Sequence, residues 1–191
     1  PGTFTLHARG RTAEGPVEKE LEWKAAETAV VVCDMWDDHW CAGAARRVGI
    51  MAPRMNAALE AARSRGVLVV HCPSETMDFY KDTIPRQRAL DAPKAEPPVP
   101  IERSYKLDPS VEGKLPIDDS DGGCDCDPSC PDVHKRKWSR QHPALAIATK
   151  DVVTDDGAEL FNVLRQYGVR NVVVMGVHTN MCVLGRSFAI R

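Results

Sequence analysis

The stretch NVVVMGVHTNMCV, residues 171–183, decides the fold class, because it joins a short apolar run to a polar turn that ends at a cysteine. A continuous apolar run of this length is typical of a parallel strand that helices cover on both faces. Two similar runs lie upstream, AVVVC at 29–33 and VLVV at 67–70, and ALAIA at 144–148 is a weaker one. The sequence therefore predicts four parallel strands.

Helical patterns alternate with these runs. One covers about 44–65, with Gly66 in the position of a C-terminal cap, and another covers about 156–167, followed by Gly168. Repeated β–α units predict an α/β fold with a doubly wound parallel sheet in a three-layer α/β/α arrangement. We expect the strand order 3-2-1-4, numbered along the chain, with strands 5 and 6 following beyond residue 191.

Two regions depart from this alternation. Residues 1–25 alternate loosely around a turn-rich centre, which predicts an N-terminal β-hairpin. Residues 73–143 show little periodicity and hold most of the prolines, as expected for a long loop insertion that is either a functional lid or a partly disordered loop. We interpret 1–191 as a single domain whose C-terminal end is incomplete. A helix starting at Cys182 and the strand at 171–176 would otherwise lack a covering partner, so we expect more chain or a second subunit there, the latter making a homo-oligomer.

Composition excludes several classes of protein. The chain has 191 residues, 43% of them hydrophobic, and a formal charge of −2, with no basic stripe to bind nucleic acid. No stretch approaches the ~18 consecutive apolar residues of a membrane-spanning helix. Seven cysteines, an odd number, do not suggest a secreted disulfide scaffold. Reduced thiols in the cytoplasm are the simplest interpretation.

Reactive side chains follow three of the predicted strands. Asp34 follows the first strand, Lys150 the third and Cys182 the fourth. Because ligands bind at the carboxyl ends of parallel strands, these residues form a candidate set of proton acceptor, cation and nucleophile. Lys137 is a reserve for Lys150. The start of a helix at Cys182 would lower the pKa of its thiol.

Two motifs carry a family resemblance. The stretch VVCDMWDD, at 31–38, resembles the opening strand motif of the isochorismatase-like cysteine hydrolases, and GVHTNMCV, at 176–183, is similar to their Gly-Val-x-Thr-x-x-Cys-Val signature. The matching regions are 29–72 and 144–191. The resemblance implies a doubly wound sheet, a catalytic Asp-Lys-Cys triad, hydrolysis of small amides, and a cis peptide bond between Val177 and His178.

We therefore expect a cysteine amidohydrolase that cleaves a C–N bond of a small amide or ureido substrate through a thioester, and that requires no cofactor. Its catalytic residues are expected to be Asp34, Lys150 and Cys182. Residues expected to hold the oxyanion or the substrate are His178, Thr179, Asn180, Arg186 and Trp36.

Two alternatives stay open. A nicotinamidase would need a metal near His71, but the Asp-x-His pair that nicotinamidases use after the second strand is missing from 71–78. The other is a catalytically silent binding protein with a zinc-stabilised docking loop. That loop contains four residues of the kinds that bind zinc, Cys124, Cys126, Cys130 and His134. A single knuckle of this kind does not establish a site.

Overall fold

The computed structural model describes residues 2–106, 108–113 and 122–191. The N-terminal strands β1 (Thr3–Thr12) and β2 (Gly15–Lys24) pair in antiparallel fashion over their whole length. Alternating residues face the rest of the molecule, and the rings of Phe4 and Trp23 meet across the pair at 6.4 Å. The predicted hairpin is confirmed.

The main sheet is parallel and has four strands: β3 (Thr28–Cys33), β4 (Leu68–Cys72), β5 (Val152–Val153) and β6 (Asn171–Gly176). Their order in the sheet is β5-β4-β3-β6, and all pairings are parallel. The predicted α/β class with a parallel sheet is therefore confirmed.

The strand predicted at 144–148 is wrong. Its backbone bonds to side chains of the first long helix: the Ala146 N–H donates to Asn56 Oδ1 over 2.9 Å, and the Ala146 carbonyl accepts from Arg63 over 2.7 Å. These side chains satisfy the groups that a neighbouring strand would otherwise pair. The strand that pairs with β4 comes later, at Val152–Val153.

Six α-helices accompany the sheets in the part of the chain that the structure describes. The long helix α1 contains Pro53 in its interior, and Asp156 caps α5 by accepting the backbone N–H groups of Ala158 and Glu159. Both helices lie where the sequence predicts them. The helix expected from Cys182 is only one turn long, because Arg186 returns to an extended backbone. The helices are α1 (Ala42–Ser64), α2 (Met77–Tyr80), α3 (Ile84–Leu90), α4 (Pro109–Glu112), α5 (Gly157–Gln166) and α6 (Cys182–Gly185).

The central strand β3 is buried on both faces. Val31 and Cys33 pack in the core cluster that includes Leu160 and Val163 of α5, whereas Val30 and Val32 pack in the cluster that includes Leu59 of α1. Alternation along one strand thus supplies two apolar cores. No helix within the described parts of the chain combines the length and apolarity needed to cross a bilayer.

The end of the insertion returns to the carboxyl edge of the sheet. Trp36 forms an antiparallel bridge with Gln141, and the His142 N–H donates to the Met35 carbonyl over 2.7 Å. Residues 138–142 are therefore anchored beside the segment that follows β3. This pairing builds a wall next to the ends of β3, β4 and β6.

Candidate active site

Two segments, one after β4 and one at α6, converge on the side chain of Asp34, directly after β3. Its carboxyl group is fully buried and accepts the Ser74 backbone N–H over 2.8 Å and the Arg186 Nε–H over 3.1 Å. The thiol of Cys182 is in hydrogen-bonding contact with the same carboxyl group. The structure thus brings the predicted Asp34 and Cys182 together, with Arg186 as the adjoining cation.

The Cys182 thiol is protonated in the resting site. Burial, assisted by the negative charge of Asp34, raises the pKa of Cys182 to about 12. The expectation that a helix start lowers this pKa is wrong, because α6 is a single turn and burial outweighs it. The His178 backbone N–H bonds to the sulfur and lowers the pKa, but it does not reverse the shift. Forming the thiolate therefore requires a proton acceptor, and Asp34 is in contact.

Burial also raises the pKa of Asp34, while the positive charge of Arg186 opposes that rise. Burial acts to lower the pKa of Arg186, but the negative charge of Asp34 outweighs burial, so the pKa of Arg186 is raised. Arg186 therefore stays cationic and favours the ionised, proton-accepting form of Asp34.

A cavity of about 200 Å³ opens above Cys182. Of the predicted substrate-contacting residues, Trp36, His178 and Arg186 line it; the described lining does not include Thr179 and Asn180. Sequence reasoning missed the rest of the wall, which comes largely from the aperiodic insertion. The missed lining residues are His39, Trp40, Glu75, Gly122, His134, Arg136, Trp138 and Met181.

Stacked rings form one side of this cavity. The indoles of Trp36 and Trp138 lie 4.0 Å apart at 11°, and each donates its N–H to the Ser74 carbonyl over 3.2 Å. The His39 ring stacks on Trp138, and the His178 ring lies 4.9 Å from His39. Burial lowers the pKa of His178, so its ring is neutral at pH 7. The stacked part of the wall, formed by Trp36, Trp138 and His39, is therefore flat and uncharged at pH 7.

The structure does not bring Lys150 to this site. Lys150 is exposed and lines a separate cavity together with Ala26, Gly66 and Val67, which precede β3 and β4. It therefore lies at the amino edge of the sheet, because the third strand starts after Lys150 and not before it. The reserve candidate Lys137 pairs with Asp132 over 3.4 Å. We therefore do not assign a catalytic role to Lys150; Arg186 supplies the cation.

His71 belongs to a buried polar network. Its Nδ1 lies 2.9 Å from Gln141 Oε1 and its Nε2 lies 3.0 Å from Asp151 Oδ2, while Arg63 pairs with Asp151 over 2.6 Å. Although burial acts to raise it, the pKa of Asp151 is lowered by its bonds with His71 and Arg63. Both ring nitrogens of His71 have protein partners, which leaves neither for the metal of a nicotinamidase.

Four cysteines form a second cluster, beside the cavity. The sulfurs of Cys41, Cys124, Cys126 and Cys130 all lie within 4.8 Å of one another, and this group could hold a metal ion. All seven cysteines of the chain are free thiols. The predicted fourth ligand, His134, instead packs edge-on against Trp40 at 5.6 Å. Cys41 takes its place, and nothing in the spacing of the sequence connects Cys41 with a loop more than eighty residues away.

The site thus combines a buried thiol, a carboxylate in contact with it and a cation, at the floor of a small cavity. Neither protein-family models nor curated protein sequences match this chain. The chemistry of the site must therefore be inferred from its own geometry and from the motifs around Asp34 and Cys182.

Proposed function

We propose that the protein is a cysteine-dependent hydrolase that cleaves a C–N bond of a small amide or ureido substrate through a thioester on Cys182. The observation that carries the proposal is the contact of the Cys182 thiol with the buried Asp34 carboxyl group below an open cavity. A protonated thiol beside a carboxylate is the arrangement that general-base activation requires. The resemblance of both flanking motifs to isochorismatase-like hydrolases agrees with it.

In the first half of the reaction, Asp34 accepts the thiol proton while the Cys182 sulfur attacks the carbonyl carbon. The carbonyl π electrons move to oxygen, and backbone N–H groups near His178 and Cys182 hold the oxyanion. As the oxyanion collapses, the C–N bond breaks and Asp34 returns its proton to the leaving nitrogen. An amine, or ammonia, leaves and the acyl group stays on sulfur.

In the second half, water replaces the amine. Asp34 accepts a proton from the water as its oxygen attacks the thioester, and the C–S bond then breaks. The sulfur recovers the proton from Asp34, which restores the resting thiol. Arg186 stays paired with the Asp34 carboxyl group and offsets its charge in the low-dielectric floor of the site.

The cavity limits the substrate to a small molecule, and the stacked wall of Trp36 and Trp138 suits a planar group such as an amide or a urea. No step above needs a cofactor. Zinc on the four-cysteine cluster would be structural, because the cluster is separate from the reacting sulfur.

A nicotinamidase is less well supported, since the His71 ring is already engaged on both sides. The alternative from another class is a silent binding protein that uses the Cys-rich loop for docking. Turnover by the wild type decides between the hydrolase and that binding protein.

The test is a panel of small amides and ureas, assayed for ammonia release with the wild type and with Cys182→Ala. We expect release only with the wild type, and mass spectrometry of a quenched reaction should find the acyl group on the peptide containing Cys182. Cys72→Ala, a buried cysteine at the end of the neighbouring strand, is the matched control and should stay active. Hydrolysis that survives in Cys182→Ala would rule out the nucleophile.

A further inference from the structure

We propose that Cys41, Cys124, Cys126 and Cys130 bind one zinc ion, and that this ion fixes the loop at 122–138 against the start of α1. The zinc would be structural: four protein ligands leave no open position for water or substrate. Its contribution to the active site would be to hold one wall of the cavity in place.

The spacing of the sulfurs fits a single tetrahedral ion. Zinc–sulfur bonds of about 2.3 Å place two sulfurs of a tetrahedron about 3.8 Å apart. The sulfurs of Cys41 and Cys126 lie 3.8 Å apart, and all four lie within 4.8 Å of one another. Two disulfides would instead place the sulfurs in two separate pairs, with about 2.05 Å between bonded sulfurs. They would not need all four sulfurs around one centre. An iron–sulfur cluster spreads its cysteines over several metal atoms and needs a wider cage.

The surroundings of the sulfurs suit the negative charge of zinc-bound thiolates. The Ala42 N–H points to Cys130 Sγ over 3.4 Å, and the Gly43 N–H points to Cys126 Sγ over 3.2 Å. Both groups belong to the first turn of the 23-residue helix α1, where the helix dipole is positive. Such N–H···S contacts also satisfy helix-end donors that have no partner within the helix.

A glycine makes room for the loop at this point. A Cβ atom on residue 43 would lie 2.9 Å from Asp125 Oδ1 and 3.1 Å from Cys126 Sγ. Arg47, one turn along α1, pairs with Asp125 over 2.6 Å. Gly43 therefore leaves space for the loop beside α1, and Arg47 binds the loop through Asp125, next to the sulfurs.

The cluster is connected to the cavity on both sides. Cys41 directly follows His39 and Trp40, which line the cavity, and the loop supplies Gly122, His134 and Trp138 to the same lining. Loss of the ion should therefore loosen the wall that stacks on Trp36. This effect on activity rests on the proposed function, whereas metal binding itself does not.

The experiment measures metal content in the whole chain, purified without added metal and dialysed against metal-free buffer. We expect about one zinc per chain in the wild type and less than about 0.1 in Cys124→Ser/Cys126→Ser. Cys182→Ala and Cys72→Ala keep four ligands and should retain full zinc. Chelation of the wild type should expose four additional thiols to a thiol reagent.

Cobalt supplies a readout that does not depend on how the variants fold. Wild type produced with Co²⁺ should show thiolate-to-cobalt charge-transfer absorption and the visible bands of a tetrahedral site. Metal-free wild type, stoichiometric iron, or two disulfides among the four cysteines would overturn the proposal. Zinc without any hydrolase activity would reject the proposed function alone, and activity without zinc would reject only the zinc site.

Discussion

Arg186 donates its Nε–H to Oδ2 of Asp34 over 3.1 Å and thereby connects the end of the first core strand to the residue that follows α6. The Asp34 side chain is fully buried, and that of Arg186 is 29% exposed. A buried carboxylate needs a partner charge to remain ionised. Arg186 therefore supplies the cation that the sequence predicts at Lys150.

Replacing Arg186 should separate its role from that of Lys150. We expect Arg186→Ala to lower kcat/KM about 100-fold, because the buried base loses its charge partner. Arg186→Lys should fall between this variant and the wild type, since an ammonium restores charge without the planar donor geometry. Lys150→Ala, at the opposite edge of the sheet, is the control and should match the wild type. An equal loss in Lys150→Ala would contradict the assignment.

Asp34→Asn should increase stability and abolish activity. Burial raises the pKa of Asp34 in the folded state, so its contribution to stability is greatest at low pH and is lost as the pH rises through that pKa. At pH 7 the neutral amide should therefore raise the free energy of unfolding. Urea denaturation should show this gain at pH 7 and a smaller gain at pH 4.

The same raised pKa sets the acid limb of the pH–rate profile. Activity should fall as Asp34 becomes protonated, at a higher pH than an ordinary aspartate would require. A wild-type rate that stays flat down to pH 4 would argue against Asp34 as the base.

Asp151→Ala should destabilise the fold without direct damage to the site. Its carboxylate is buried between Arg63 and His71, and removing one partner of a buried ion pair costs about 3–5 kcal/mol. Because these partners lower the pKa of Asp151, its stabilising contribution is present near neutral pH and is lost on acidification through that pKa. Glu18→Ala, which breaks an exposed pair with Arg9, is the control and should leave the denaturation midpoint unchanged.

The edge strand β6 should mediate self-association. Within the described residues it pairs only with β3, and Val172 and Val173 are 40% and 37% exposed. An unpaired apolar edge is a template for a second strand. We expect a dimer by light scattering that Val173→Lys converts to a monomer, while Val111→Lys, at an exposed position on α4, leaves the dimer intact. A monomeric wild type at assay concentration would refute this prediction.

The sequence predicts the fold wherever burial dictates a local pattern. β3, β4 and β6 are apolar runs, and α1 and α5 show helical spacing with caps, so their positions follow from the residues. β5 is only two residues long, too short to leave a periodic signal. The pattern predicts a strand at the longer apolar run 144–148 instead, but side chains of α1 hold that run as a loop.

The same distinction applies to the site. Asp34 and Cys182 are predictable because strand ends share one edge of a parallel sheet. The position of Trp138 and the loop partners of Cys41 are not, since they depend on how an aperiodic segment folds back over that edge. The sequence does not predict the pKa of Cys182 for a related reason: burial depends on the wall of the cavity, and the sequence does not place that wall.

The stacked indoles of Trp36 and Trp138 give the molecule an intrinsic optical probe. Indole rings 4.0 Å apart couple their electronic transitions, so the near-ultraviolet circular dichroism bands of the pair change when the rings separate. One ring follows the central strand and the other belongs to the returning loop. The intensity of those bands should therefore report, without any label, the fraction of molecules whose loop is docked beside Cys182, and stopped-flow spectroscopy should follow that docking in real time.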